Sequence, residues 1–295
     1  MTVRYHADVQ RCLAPRFGGP VELEPPHVQW DRRAVCRATL PGGRRAVIKI
    51  DQDPARHARE VAGLRAAWEA GAPVPRVLWS GRGEYWVLVL AEVPTRRSLA
   101  DGGRLWRAAG AATRRLHSAR IPARLPMFCD GGQDWAEHMA HRVEVEAGHA
   151  VERGLLNRAE ANATIQHAVR ALAAAGPVNM VLLHGDLQAR HVLVHGNAVV
   201  LVDFGDAGWG DPALDLVVLT HLDPHRRAEV LDGYGADRSL RDRIGILGPT
   251  YSLWRNMFVS RWYFENSFEQ RRNTAVARRV LETQVLAGRE SGGRP

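Results

Sequence analysis

Lysine is almost missing from this chain: of forty basic residues thirty-nine are arginine, and the only lysine is Lys49. Cysteine is scarce too, with three residues scattered at Cys12, Cys36 and Cys129. So few, so spread, they exclude a disulfide framework and suit reduced thiols in a cytoplasm. No apolar run approaches the roughly 20 residues a membrane helix needs, and no basic–apolar–small leader opens the chain. No membrane association and a cytoplasmic location are therefore expected. The chain also lacks a polybasic run, a helix-turn-helix pattern and zinc-ligand spacing, and its basic residues are interleaved with Asp and Glu. The net charge of +8 thus carries no nucleic-acid reading, and none is expected. There is no internal repeat. What remains is 295 residues, 45% of them hydrophobic, enough for one large domain or two packed lobes.

The stretch around which the chain is organised runs from Leu183 through His184-Gly185-Asp186 to Val194, then from Val199 to Asp203-Phe204-Gly205-Asp206. It reads as a short apolar strand, a polar loop and two valine-rich strands joined across Gly196-Asn197, a hairpin signal. A hairpin returns its open ends to one edge, so the loop holding Asp186 and the strand end holding Asp203 should meet. Either aspartate alone is most simply a turn or helix-cap residue. Two carboxylates brought together repel unless a cation or a shared proton offsets the charge, and that favours a divalent metal.

Lys49 lies in Ala46-Val47-Ile48-Lys49-Ile50, a strand that follows a Pro41-Gly42-Gly43 turn and an earlier strand over 34–40. An exposed strand lysine is the plain reading. In a chain otherwise served by arginine, a compact ammonium on a flexible stem within an Ala-Val-Ile-Lys strand is better read as a phosphate-binding lysine. A helix is predicted over 54–71, with Val61, Leu64 and Trp68 as its buried stripe and Gly71 as its stop. Two further strands, 76–79 and 85–90, follow the Pro73-Val74-Pro75 break.

His-Gly-Asp, a metal-ligand position five residues on, a hydrophobic strand into Asp-Phe-Gly, and Gly210-Asp211-Pro212-Ala213-Leu214-Asp215-Leu216 occur in order over 184–216. This set resembles the catalytic core of aminoglycoside-phosphotransferase-like small-molecule kinases, relatives of the protein kinases. The resemblance implies an α+β, protein-kinase-like bilobal fold with a β-rich N-lobe carrying one helix and a mainly helical C-lobe. The N-lobe would be 1–93, with a hinge at 91–93; the C-lobe 94–287; and 288–295 a disordered Gly-Arg-Ser-Pro tail. It further implies Asp186 as the catalytic carboxylate, Asp203 as a Mg²⁺ ligand, Lys49 on the nucleotide phosphates and Glu60 as its ion-pair partner. The Ala91 carbonyl and Val93 N–H would face the adenine. His184 would be structural, Asp215 would brace the catalytic loop, and Asp211 would cap the helix after Pro212. Read without the resemblance, Glu60 is a solvated helical glutamate.

Two departures from the family pattern stand out. No Gly-x-Gly-x-x-Gly precedes the Pro41 turn; the segment there reads His27-Val28-Gln29-Trp30-Asp31-Arg32-Arg33. His191 stands where the family usually has Asn, a feature shared with macrolide phosphotransferases. An imidazole is a softer ligand than an amide oxygen, better suited to Zn or Mn than to Mg. The alternative is a loop histidine bonded to backbone.

The second half of the chain reads as helical. Leu105, Ala109, Ala112 and Leu116 share a face; Trp135 with Met139, and Ile165 with Val169 and Leu172, mark two more helices. Asp134, Glu137, Glu144 and Glu146, within 130–156, read as a solvated face and, by resemblance, as weak candidates for substrate contacts. Tyr251, Trp254, Phe258 and Trp262 recur at helical spacing and are expected in the core. Only four residues separate Asp-Phe-Gly from Gly-Asp-Pro, too few for a peptide platform. The expected activity is an ATP- or GTP-dependent O-phosphotransferase acting on a small hydroxylated compound, with Mg²⁺ as cofactor. The acceptor is expected to be an antibiotic of aminoglycoside, macrolide or cyclic-peptide type, inactivated by the reaction. The alternatives are a metabolite kinase for an amino alcohol or sugar, and a nucleotide-binding pseudokinase.

Overall fold

The computed structural model describes residues 4–30, 32–101, 105–128, 134–221 and 223–266. Cys129, Asp130 and the tail over 288–295 lie outside them.

The chain opens with a helix, α1 (Arg4–Phe17), that the sequence reading did not include. Six strands follow: β1 (Glu22–Leu23), β2 (Val28–Trp30), β3 (Arg33–Leu40), β4 (Arg44–Asp51), β5 (Val77–Arg82) and β6 (Trp86–Ala91), with α2 (Pro54–Glu69) between β4 and β5. They form one antiparallel sheet in the order β1-β3-β4-β6-β5, with β2 on β3. Period-2 alternation assigns its faces. Ala34, Cys36, Ala38, Ile48, Ile50, Val87 and Val89 pack with Tyr5, Val9 and Leu13 of α1. On the opposite face Leu88 and Leu90 join a second core with Leu64 of α2. Lys49 pairs with Leu88 in the register of β4 and β6, so it belongs to the α2 face. Among the described residues the lobe therefore has two α-helices, not one: without α1 the Cys36–Ile48 face would be bare. Burial also pushes the Cys36 thiol up to about 11, far from reactive.

Helix α2 begins where local chemistry dictates. Asp53 caps the Ala55 and Arg56 amides at 2.9 and 3.2 Å, and Pro54 occupies the first turn. Its buried residues include His57, Glu60, Leu64 and Ala67, while Trp68 is 52% exposed. The buried stripe thus runs one position behind the predicted one, and this turns Glu60 inward.

Beyond the sheet the chain is chiefly helical: α3 (Trp106–His117), α4 (Trp135–Glu152), α5 (Arg158–Ala175), α6 (Pro212–Leu219), α7 (Arg227–Tyr234) and α8 (Arg238–Asn266). An Asn157–Glu160 capping box starts α5. Its buried positions are Ala161, Thr164, Ala168, Ala171 and Leu172; Val169, expected inside, is 48% exposed. Asp211 caps α6 through the Ala213 amide at 2.8 Å, and its other oxygen takes Tyr251 Oη and Arg243 Nε, each at 2.7 Å. Trp135 Nε1 donates to the same Tyr251 hydroxyl at 2.8 Å, tying α4, α6 and α8 together. Among the described residues no helix is long and apolar enough to cross a membrane.

Two short sheets carry the central stretch. β7 (Val181–Leu183) pairs with β10 (Gly208–Gly210), and β8 (Val192–His195) with β9 (Ala198–Leu201). Gly196 takes the left-handed φ of 58° that a two-residue turn demands.

Candidate active site

The hairpin delivers its two ends as the spacing implies. The Val202 N–H donates to the His191 carbonyl at 2.9 Å, closing the open end and setting Asp203 beside His191. The ring Nε2 lies 3.7 Å from Asp203 Oδ2. Asp203 adopts φ 70°, the one described non-glycine residue at positive φ. Holding an L-residue there costs roughly 1–2 kcal/mol, and such strain concentrates at functional sites.

The loop ahead of the hairpin is held from beneath. Asp215, fully buried, accepts from the His184 N–H at 2.7 Å and the Gly185 N–H at 3.1 Å, and contacts His117 Nε2 at 3.2 Å. His184 Nε2 donates to the Val202 carbonyl at 2.8 Å, so its Nδ1 is the acceptor for the Asp186 N–H at 3.3 Å. Gly185 has φ 81°, and a Cβ there would sit 2.0 Å from the Asp206 carbonyl. Only glycine lets the two backbones approach so closely.

Lys49 reaches into the same place. Its ammonium pairs with Glu60 Oε1 of α2 and with Asp203 Oδ1, the latter at 2.7 Å. Burial works against the Lys49 charge, but the Asp203 and Glu60 carboxylates outweigh it and hold the ammonium above its usual range. Burial likewise opposes the charge on Asp203, yet Lys49, His191 and Arg33 keep that carboxyl well below the usual carboxylate range. Glu60 is 4% exposed, so it is no solvated glutamate.

His191 serves two ends at once. Its Nδ1 donates to the Asp186 carbonyl at 2.7 Å, so in the neutral ring Nε2 holds a lone pair on the Asp203 side. Burial lowers the ring's proton affinity despite the two aspartates. A bare lone pair facing a carboxylate oxygen is repulsive unless a cation sits between them. The bond to backbone thus occupies Nδ1 and leaves Nε2 facing Asp203. Among the described residues no group of three or more His, Cys, Asp or Glu forms a cage for a metal. The Asp203 carboxylate suits Mg²⁺ completed by water and phosphate, and the softer imidazole Nε2 of His191 stands beside it as a second, less typical donor.

At the end of β6 the Ala91 N–H donates to the Arg76 carbonyl at 2.9 Å, and the Val93 carbonyl accepts from the Thr95 N–H at 2.7 Å. Glu92, between them, is held by Arg37 at 2.7 Å and Arg45 at 3.1 Å. Of the four acids in or beside α4, Asp134 caps the helix through the Glu137 amide. Glu146 is 1% exposed and paired with Arg142 and Arg261. Glu146 is thus a structural anchor rather than part of a solvated face. Tyr251 and Trp254 are fully buried, as expected of the aromatic stripe; Phe258 is only partly buried, flanked by Arg255 and Arg261.

Three partners of the site escaped the sequence reading. Arg255 of α8 pairs with Asp186 Oδ1, to which Gln188 Nε2 also donates at 2.6 Å. Arg33, opening β3, stands 3.8 Å from Asp203 Oδ1. A separate groove of about 910 Å³, lined in part by Arg114, His117, Tyr234, Arg238 and Arg243, includes none of the nominated residues.

The model of the phosphotransferase enzyme family matches residues 22–247. No curated protein sequence matches the chain. Among solved structures, a choline/ethanolamine kinase family protein from Mesorhizobium loti is 19% identical, with 99% of this chain and 96% of that one covered and a TM-score of 0.68. Macrolide 2'-phosphotransferase type I is 18% identical, with 95% and 99% covered and a TM-score of 0.62. A thermostable mutant of aminoglycoside phosphotransferase APH(4)-Ia, in ternary complex with AMP-PNP and hygromycin B, is 16% identical, with 95% and 99% covered and a TM-score of 0.69. At such identities the likeness establishes the fold, which is bilobal and protein-kinase-like.

Proposed function

This chain belongs to the phosphotransferase enzyme family, and we propose that it transfers the γ-phosphoryl group of ATP or GTP to a hydroxyl of a small molecule. It is a small-molecule phosphotransferase; the donor, the acceptor and the residue roles are the proposal. The observation that carries the reading is the Lys49 ammonium set between Glu60 and Asp203, with His191 linking Asp203 to the backbone of Asp186.

Phosphoryl transfer spreads negative charge over oxygens, so catalysis rests on positioning and on cationic groups around the phosphates. Lys49, held by Glu60, is assigned to the nucleotide phosphates. Asp186 accepts a hydrogen bond from the acceptor hydroxyl and takes its proton as the oxygen bonds to phosphorus. Asp203 and His191 would hold Mg²⁺, which when bound neutralises charge on the phosphate oxygens. By resemblance to the family hinge, the Ala91 carbonyl and the Val93 N–H are the groups assigned to the base, and the Ala91 N–H and Val93 carbonyl are engaged elsewhere.

The acceptor is proposed to be an antibiotic, inactivated by phosphorylation; the macrolide and aminoglycoside phosphotransferases among the structural neighbours support that class. The choline/ethanolamine kinase family neighbour supports the second reading, a kinase for an amino alcohol or similar metabolite. The test is turnover: purified protein with MgATP or MgGTP and a panel of antibiotics, amino alcohols and sugars, with phosphorylated product followed by mass spectrometry. Product from one class assigns the acceptor. Nucleotide binding with no product from any class would replace the proposal with a pseudokinase.

A further inference from the structure

Asp186 is not free on both oxygens. Oδ1 receives Gln188 Nε2 at 2.6 Å and the Arg255 guanidinium. The arginine comes from 69 residues along the chain, in α8, and is only 5% exposed. Its guanidinium carbon lies 5.5 Å from the centre of the Phe258 ring, and that of Arg261 lies 5.4 Å from the same ring. Arg261 in turn holds Glu146 with two bonds of 2.8 and 3.0 Å, and Glu146 is 1% exposed in α4. Trp254 stacks on Phe258 with centroids 5.5 Å apart. A planar guanidinium can lie flat on a ring while its fork meets a carboxylate; a compact ammonium has no plane or fork to do this.

The geometry points to Arg255 as a positioning residue for phosphoryl transfer: it fixes the Asp186 carboxylate from α8 and leaves Oδ2 as the oxygen for the acceptor hydroxyl. The inference rests on the role assigned above to Asp186. A carboxylate on a single Cβ–Cγ bond otherwise rotates freely, and one held on Oδ1 by two donors does not. The chain Glu146–Arg261–Phe258–Arg255–Asp186 makes that hold a property of how α8 packs on α4. Arg255 itself touches no reacting atom; its effect runs through Asp186.

Two measurements test this. The first needs no acceptor: melting temperatures of wild type, Arg255→Ala, Asp186→Asn and the double variant. A coupled pair gives a double variant less destabilised than the sum of the singles; strict additivity would overturn the pairing. The second is steady-state kinetics on whichever acceptor the panel identifies. Arg255→Ala is expected to lose about a hundredfold in kcat, the scale of an ångström of misplacement, with the nucleotide KM little changed. Guanidinium chloride at millimolar concentration should restore part of that rate in Arg255→Ala and none in Asp186→Asn. Arg255→Lys, which keeps the charge, covers the case in which the alanine variant fails to fold and should stay well below wild type. Unchanged or raised kcat in either Arg255 variant, or a loss confined to KM, would overturn the inference while leaving the role of Asp186 intact. Wild type without transfer to any acceptor would overturn both.

Discussion

Replacing Asp215 by Asn changes one atom in a fully buried carboxylate, and the structure sets the cost. Oδ2 accepts from the His184 N–H and contacts His117 Nε2, while Oδ1 accepts from the Gly185 N–H, all within 3.2 Å and with the residue fully buried. An amide has one acceptor oxygen. Placed at the Oδ2 position, it keeps His184 and His117 and turns an NH₂ against the Gly185 N–H, orphaning a buried donor at a cost of about 1–3 kcal/mol. The two surviving bonds lose their charge assistance, about 1 kcal/mol each, since charge-assisted bonds are roughly twice as strong as neutral ones. The sum is about 3–5 kcal/mol, a large share of the roughly 5–15 kcal/mol that stabilises a typical protein. At about 2–4 °C per kcal/mol for chains of somewhat smaller size, the melting temperature should fall by about 6–20 °C. The same change frees the backbone of His184 and Gly185 just ahead of Asp186, so kcat should fall further than nucleotide affinity. Thermal melts followed by kinetics below the transition measure both. A shift under about 2 °C with normal kcat would refute the claim that Asp215 braces the loop.

Lys49→Arg keeps the charge but replaces a compact ammonium 2.7 Å from Asp203 and paired with Glu60; kcat/KM for the nucleotide should fall by about a hundredfold or more, and a variant equal to wild type would show the lone lysine to be chance. For His191, titrating Mg²⁺ against rate separates its two nitrogens. His191→Asn should preserve activity, and His191→Ala should need more Mg²⁺ for half-maximal rate; superimposable curves would mean the ring is not a ligand. Burial lowers the proton affinity of His27, His57, His191 and His221, so the unfolded chain binds more protons than the folded one just below pH ~6.5. Stability should therefore fall as pH drops through that window. Melting temperatures taken at about pH 7.5 and about pH 5.5 check it, and a flat or rising trend on acidification would contradict the sign.

How much was legible depended on whether a residue's partners were local. The hairpin over 192–201 was readable because its signal, two valine-rich strands around Gly196-Asn197, is contained in the segment itself. Lys49 stood out because thirty-nine arginines made it unique. Arg255 was invisible for the same reason: nothing in the sequence marks one arginine among so many, and its partner lies 69 residues away. Helix α1 carries no motif; its necessity appears only when the Cys36–Ile48 face of the sheet is seen to need cover. Periodicity found α2 and α5 but misplaced their faces, because Trp68 and Val169 are hydrophobic yet exposed and buried alanines count for little in an apolar pattern. Glu146 looked like surface because its arginines come from the same helix and from α8, the second of them 115 residues distant.

The central claim is that Asp186 receives the acceptor hydroxyl in a nucleotide-dependent phosphoryl transfer, and the most direct measurement compares wild type with Asp186→Asn. Both proteins are titrated with MgATP by calorimetry, checked for folding by thermal melt, and assayed for phosphorylated product under saturating nucleotide and acceptor. Nucleotide affinity should stay within about twofold of wild type, with kcat lower by about a hundredfold or more. A folded Asp186→Asn protein that turns over at near the wild-type rate would contradict the claim.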